Sequence, residues 1–154
     1  MTMADAEGEA RDERGDARAP EALLPLTPGA LHILLALAGG ERHGYAIMQE
    51  TTRLSDGAVR LGPGTLYRTL KALLDDGLIA ESGERPDPAH DDERRRYYRL
   101  TAFGRRVAQA ETARLMRLVE RAQALPGWEA IRALATLLAP TEAMPLHPAT
   151  KGVQ

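Results

Sequence analysis

Apolar residues recur at helical spacing in five stretches of this chain, and two short extended runs stand between the third and fourth of them. Leu31, Leu34, Leu35 and Ala38 repeat at helical spacing and predict a first helix. It opens at Thr27-Pro28, a hydroxyl cap before a proline suited to the first turn, and closes at Gly39-Gly40. A second helix begins at His43-Gly44, carries Tyr45, Ala46, Ile47, Met48 and Gln49 toward Leu54, and gives way to a turn at Ser55-Asp56-Gly57. Ala58 to Leu61 is too short for a helix and is expected as a small strand. Gly62-Pro63-Gly64-Thr65 launches a third helix with a stripe of Leu66, Leu70, Leu73 and Leu74, and Gly77 stands as its stop.

Leu78 to Glu81 and Arg94 to Leu100 read as a β-hairpin around a Pro- and Asp-rich loop from Arg85 to Glu93. Thr101 to Leu125 is a long helix, free of proline and with one early glycine, and Leu115, Leu118, Ala122 and Leu125 are spaced along it like a seam that needs a partner. Pro126-Gly127 breaks it before a last amphipathic helix with Trp128, Ile131, Leu134, Ala135 and Leu138. The expected layout is an acidic, unstructured leader over 1–25, a winged helix-turn-helix domain over 26–100, a helical dimerisation region over 101–139 and a loose tail over 140–154. The fold class is mainly α with a small β-hairpin: a winged helix-turn-helix followed by a long C-terminal dimerisation helix.

Composition narrows this picture. Of 154 residues 44% are apolar and only 4% aromatic, so the core is built from Leu, Ala, Ile and Val, as in packed helices. There is no cysteine, which removes disulfides and zinc–thiolate sites and fits a reducing cytoplasm. The N-terminal stretch lacks the apolar run of a signal peptide, and no segment is apolar enough to span a membrane. The net charge of −2 hides an uneven distribution. Residues 1–25 hold three Arg against seven acids, whereas 26–125 hold fifteen Lys or Arg against thirteen, so positive charge has to be clustered if DNA is the partner.

Two clusters qualify. If Leu66, Leu70 and Leu73 face the core, Gly64, Arg68 and Lys71 lie opposite, with Thr65 and Tyr67 on the flanks. Arg suits guanine or phosphate, Lys and Thr suit phosphate, and a glycine at a helix start lets backbone N–H groups approach one. Arg68 and Lys71 are equally what a solvated helix face displays, with Asp75 placed to pair with Lys71, and Tyr67 is equally a core-edge aromatic. The hairpin speaks more strongly: Arg94, Arg95, Arg96 and Arg99 crowd one strand, strand alternation sends them to both faces, and Arg85 stands across the loop. Internal pairing with Glu84, Asp87, Asp91, Asp92 and Glu93 competes for some of these arginines.

The runs LTPGALHILLALAGGERHGYAIMQE, RLGPGTLYRTLKALLDDGLIAE and RRRYYRLTAFGRR, in that order, resemble the PadR family of bacterial transcriptional regulators from Leu26 to about Arg106. The resemblance implies a homodimeric repressor on an inverted-repeat operator, with the long helix crossing to the partner subunit. It places Tyr45, Thr65 and Tyr67 at the DNA surface and the arginine run in the wing. The chain looks like the short type, which has essentially one helix after the wing. The Trp128 helix and the acidic leader are additions to that pattern. Some short-type relatives hold flat aromatic compounds on rings of the long helix, where this chain has only Phe103.

Catalysis is not expected. His32, His43, His90 and His147 share no ligand spacing such as HExxH, no glycine-rich phosphate loop follows a strand, and no metal or cofactor is expected. The expected partners are double-stranded DNA, a second copy of the chain and, as a further candidate, a small-molecule effector of unknown identity. The competing reading is a winged-helix module that docks on another protein; it lacks the steep salt dependence of a DNA binder.

Overall fold

The computed structural model describes residues 17–87 and 90–138, without the side chains of residues 86–94. The expected leader over 1–16, the tail over 140–154 and the side chain of Arg94 therefore lie outside the described residues. The elements are α1 (Pro28–Ala38), β1 (Arg42–His43), α2 (Gly44–Leu54), α3 (Pro63–Asp75), β2 (Ile79–Asp87), β3 (His90–Leu100), α4 (Ala102–Gln123) and α5 (Trp128–Leu138). Contacts divide the chain into a first unit ending at Met116 and a second beginning at Arg117.

In the first unit α1 starts as its sequence dictates. The Thr27 side chain accepts a hydrogen bond from the Ala30 N–H, Pro28 occupies the first turn, and Arg42 Nε donates to the Ala36 carbonyl at 2.9 Å near the far end. Only half of its apolar repeat, Leu31 and Leu34, turns inward. Ala30, Leu31, Ile33, Leu34, Ala36 and Leu37 are buried, while Leu35 and Ala38 are exposed. A helix apolar on nearly every side gives periodicity little to choose from, and packing against α2 and α3 decides which side turns inward. Ile47 of α2, Leu66, Leu70 and Leu73 of α3, Leu78, Ile79, Tyr98 and Leu100 of the hairpin, and Phe103 and Val107 of α4 complete one core. Within the stretch expected to be an unstructured leader, Pro20–Leu23 forms a 3-10 turn and Leu23 and Leu24 pack against that core, as does Leu26 just after it.

The sheet corrects the expected strand at Ala58–Leu61. That segment is irregular, and the third strand is instead β1, which pairs antiparallel with β3 to give the order β1-β3-β2. The hairpin strands also run further into the Arg85–Glu93 loop than expected, reaching Asp87 and His90, with register shifts between Glu81 and Glu84 and between Pro86 and Asp87. Gly83, at φ +100, serves the first of these bulges.

The wing joins α4 through a close contact. Thr101 Oγ1 donates to the Gly77 carbonyl at 2.7 Å, with the Leu78 carbonyl 3.0 Å away, and accepts from the Gly104 N–H at 2.9 Å. A Cβ on Gly104 would stand 1.9 Å from the Leu78 carbonyl oxygen. The long helix therefore needs this early glycine for close approach to backbone.

In the second unit no described residue from Arg117 to Leu138 is buried. Leu118, Val119, Leu125, Ile131 and Leu134 are each more than half exposed. Leu125, expected in the long helix, falls in the turn just beyond the end of α4 at Gln123. Among the described residues no helix is long and apolar enough to cross a membrane, and no group of three His, Asp or Glu side chains is arranged to hold a metal ion.

Replacing Gly104 by Ala is predicted to destabilise the fold by about 3 kcal/mol, since backbone rather than a flexible side chain has to give way. Thermal unfolding then falls by roughly 10 °C or more, and a melting temperature within about 2 °C of the parent refutes the contact.

Candidate nucleic-acid interface

The exposed face of α3 is built as its spacing predicts. Leu66, Leu70 and Leu73 are buried, and Gly64, Thr65, Tyr67, Arg68 and Lys71 are all exposed. No side chain caps its N-terminus, and a Cβ on Gly64 would meet nothing within 4 Å, so the first-turn backbone N–H groups face an open approach. Lys71 pairs with Asp75 at 2.8 Å, both largely exposed, so the pair is weak and Lys71 remains exchangeable. Among the described residues Arg68 makes no ion pair.

Tyr67 belongs to both readings raised for it. Its ring is 56% exposed, yet its hydroxyl end reaches Gly44 on α2, where an added Cβ would stand 3.0 Å from the oxygen. Gly44 thus seats Tyr67, and the neighbouring Tyr45 projects 51% exposed. The Arg95 guanidinium lies 5.7 Å from the centre of the Tyr45 ring. Arg95, Tyr45, Gly44 and Tyr67 therefore link the wing to α3 across one continuous surface, which sequence spacing alone does not reveal.

Strand alternation sorts the wing arginines. Arg85 and Arg95 stand directly opposite each other across β2 and β3. Two like charges at opposed positions repel, and the fold offsets this with acceptors. Arg85 is hydrogen-bonded to Glu41 and lies 4.5 Å from the centre of the Tyr97 ring, which also meets the His43 ring edge-on. Arg96 is on the other face, the one that carries buried Tyr98, and pairs with Glu81 at 3.2 Å while staying about half exposed. Burial pushes the Tyr98 phenol above its ordinary value, with Arg96 pulling it partly back. Arg99 is half-buried.

Internal pairing of the wing is thus real, with Glu41 and Glu81 as partners of Arg85 and Arg96; the side chains of the expected partners Asp87, Asp91, Asp92 and Glu93 lie outside the described residues. Glu41 and Tyr97 escape a sequence reading because the pairing of Arg42 and His43 with Tyr98 and Tyr97 is what brings the α1–β1 turn beside the wing. Two residues carry too little pattern to announce a strand. The four seam residues divide as well: Leu115 in the first unit and Ala122 in the second are half-buried, and Leu118 and Leu125 are exposed.

A family model described as the transcriptional regulator PadR-like family matches residues 33–110. Transcriptional regulator Rv3488 of Mycobacterium tuberculosis is 43% identical over 75 residues, a stretch that makes up 49% of this chain and spans 64% of that relative's length. A PadR-like transcription factor from Bacteroides fragilis superposes with a TM-score of 0.51 at 20% identity, covering 77% of this chain and 96% of that one. A PadR family transcription regulator from Clostridium difficile R20291 gives 0.50 at 22% identity, with 63% and 95% covered. These two structures carry the fold.

Gly44→Ala asks the Tyr67 hydroxyl to give by a few tenths of an ångström, so it is predicted to change stability by less than about 1 kcal/mol net of the helix propensity gained, and to be more favourable by about 0.5 kcal/mol or more in a Tyr67→Phe background. Urea unfolding of the four proteins measures the coupling, and additive effects rule out the seat.

Proposed function

Because the chain belongs to the PadR-like family of transcriptional regulators, we propose that it is a cytoplasmic repressor that occupies an inverted-repeat operator as a homodimer. Residues 26–100 are the DNA-binding part. The observation that carries this reading is the opposed pair Arg85 and Arg95 on a wing continuous, through Tyr45 and Tyr67, with the exposed face of α3. An anion between two facing guanidinium groups relieves their repulsion, and a DNA phosphate is an anion of the right kind. Gly64, Thr65, Arg68 and Lys71 enter the major groove from α3, Tyr45 and Tyr67 contact its edge, and Arg85, Arg94, Arg95 and Arg96 hold phosphates from the wing.

The dimer is supported by two unsatisfied apolar surfaces. The second unit buries no described side chain, which a stable helix pair does not tolerate alone. In the first unit a groove of about 380 Å³ runs between Leu35 and Ala38 of α1 and Ala108, Ala113 and Met116 of α4. Residues 101–139, with Leu115, Leu118, Ala122 and Leu125, serve as the dimerisation region. A small-molecule effector that releases the repressor would find aliphatic walls in this groove, since Phe103 is fully buried and its ring already meets Arg18.

Binding to a mixed-sequence duplex, followed by anisotropy against salt, is predicted to weaken linearly in log–log form. Arg95→Ala combined with Arg96→Ala lowers affinity on every sequence and reduces the slope by about one for each phosphate no longer neutralised. A flat salt response points to a protein-docking module instead. Sedimentation at micromolar concentration is predicted to show a dimer, and a monomer throughout overturns the assembly.

A further inference from the structure

Glu111 is the one charged side chain among the described residues that is buried outright, at 1% exposure, and the DNA-binding surface makes no use of it. It sits on α4 and is fully occupied. Arg114 donates to it through Nε at 2.6 Å and a second nitrogen at 2.8 Å, and the backbone N–H of Leu26 donates at 3.2 Å. The Arg114 hydrogen bonds hold its carboxyl below the ordinary value against the opposing effect of burial, so it is charged at neutral pH. Arg114 keeps the buried carboxylate charged, and the Leu26 N–H adds a charge-assisted hydrogen bond that ties this backbone to α4.

Leu26 ends a segment that lies outside the stretch shared with the family model. Leu23 and Leu24 of that segment pack on the core. At its other end Arg18 donates to the Asp76 carbonyl, at the C-terminal cap of α3, and its guanidinium lies 5.1 Å from the centre of the Phe103 ring at the start of α4. A cation there is also favoured by the helix dipole. The strap from Arg18 to Leu26 thus touches the end of α3, the beginning of α4 and the middle of α4.

We propose that Glu111 is a positioning residue for DNA binding: by clasping Leu26 it holds the Arg18–Leu26 strap across α3 and α4 and thereby fixes the pose of the DNA-facing helix against the long helix. In a dimer that pose sets how the two α3 helices are spaced, so this consequence rests on the homodimeric DNA-binding reading above. The brace itself does not.

The chain has no cysteine, so two labels can be placed without background. Spin labels at Ala72→Cys on α3 and Gln109→Cys on α4, both exposed positions, report the interhelical distance in full-length protein diluted with unlabelled chain. One narrow distance distribution is expected for the parent and a distribution at least twice as broad for Glu111→Ala. Glu111→Gln, which keeps an acceptor for the Leu26 N–H, is expected to restore much of the narrowness. Arg18→Ala, at the exposed end of the strap, provides a second perturbation if Glu111→Ala does not fold. Unchanged widths in Arg18→Ala and the folded Glu111 variants overturn the brace.

The second arm uses the duplex that the parent protein selects from a random pool, and a duplex carrying one of its half-sites. Loss of positioning weakens the full site about tenfold and leaves the half-site within about twofold, whereas general destabilisation weakens both alike. Equal losses on both duplexes, or no loss on either, overturn the role in DNA binding. Failure of the parent to select any duplex refutes the DNA-binding reading and leaves the distance measurement to decide the brace.

Discussion

The hairpin returns to the helical body where the Leu78 carbonyl, the Thr101 hydroxyl and the Gly104 backbone meet, and there is no room for one more carbon atom. Three elements end or begin within a few residues of this junction: α3 stops at Asp75, β2 starts at Ile79 and α4 starts at Ala102. The hydroxyl of Thr101 serves backbone from both sides, as acceptor for Gly104 and donor to Gly77, so one carbonyl just past the end of α3 and one N–H at the start of α4 are satisfied in the interior. From this contact follow the base of the wing, where Ile79 opposes Leu100, and the close packing of the first turn of α4 on it.

Charge placement depends on that frame. A wing dense in arginine repels itself, and the fold answers with specific partners instead of diffuse screening: Glu41 and the Tyr97 ring for Arg85, Glu81 for Arg96, the Tyr45 ring for Arg95. These interactions are partly exposed, hence modest in energy and open to exchange for a phosphate. They also orient the side chains in advance, which lowers the entropy cost of binding. Glu111 works under the opposite condition: its carboxylate is buried, and the geometry around it is correspondingly less negotiable.

Much of this protein could be read from the chain. Local rules placed α1 at the Thr27 cap and the proline after it, α2 at His43-Gly44, the buried leucines of α3, the stop at Gly77 and the break at Pro126-Gly127, because caps, glycines and helical periodicity act within a few residues of themselves. The three motif runs carried the family as well. What the chain did not disclose lies between residues far apart in it. The two-residue strand β1 exists only because β3 lies beside it; the inward side of α1 was settled by its neighbours; and Gly104 is an ordinary helix glycine until Leu78 is set against it. Local pattern was enough to say which segments are helical and which residue types are available for DNA. Only the folded arrangement settled which arginines face one another, which acids restrain them and which backbone the buried Glu111 holds, since hydrogen bonds and charge pairs depend on separations in space that neighbouring residues do not set.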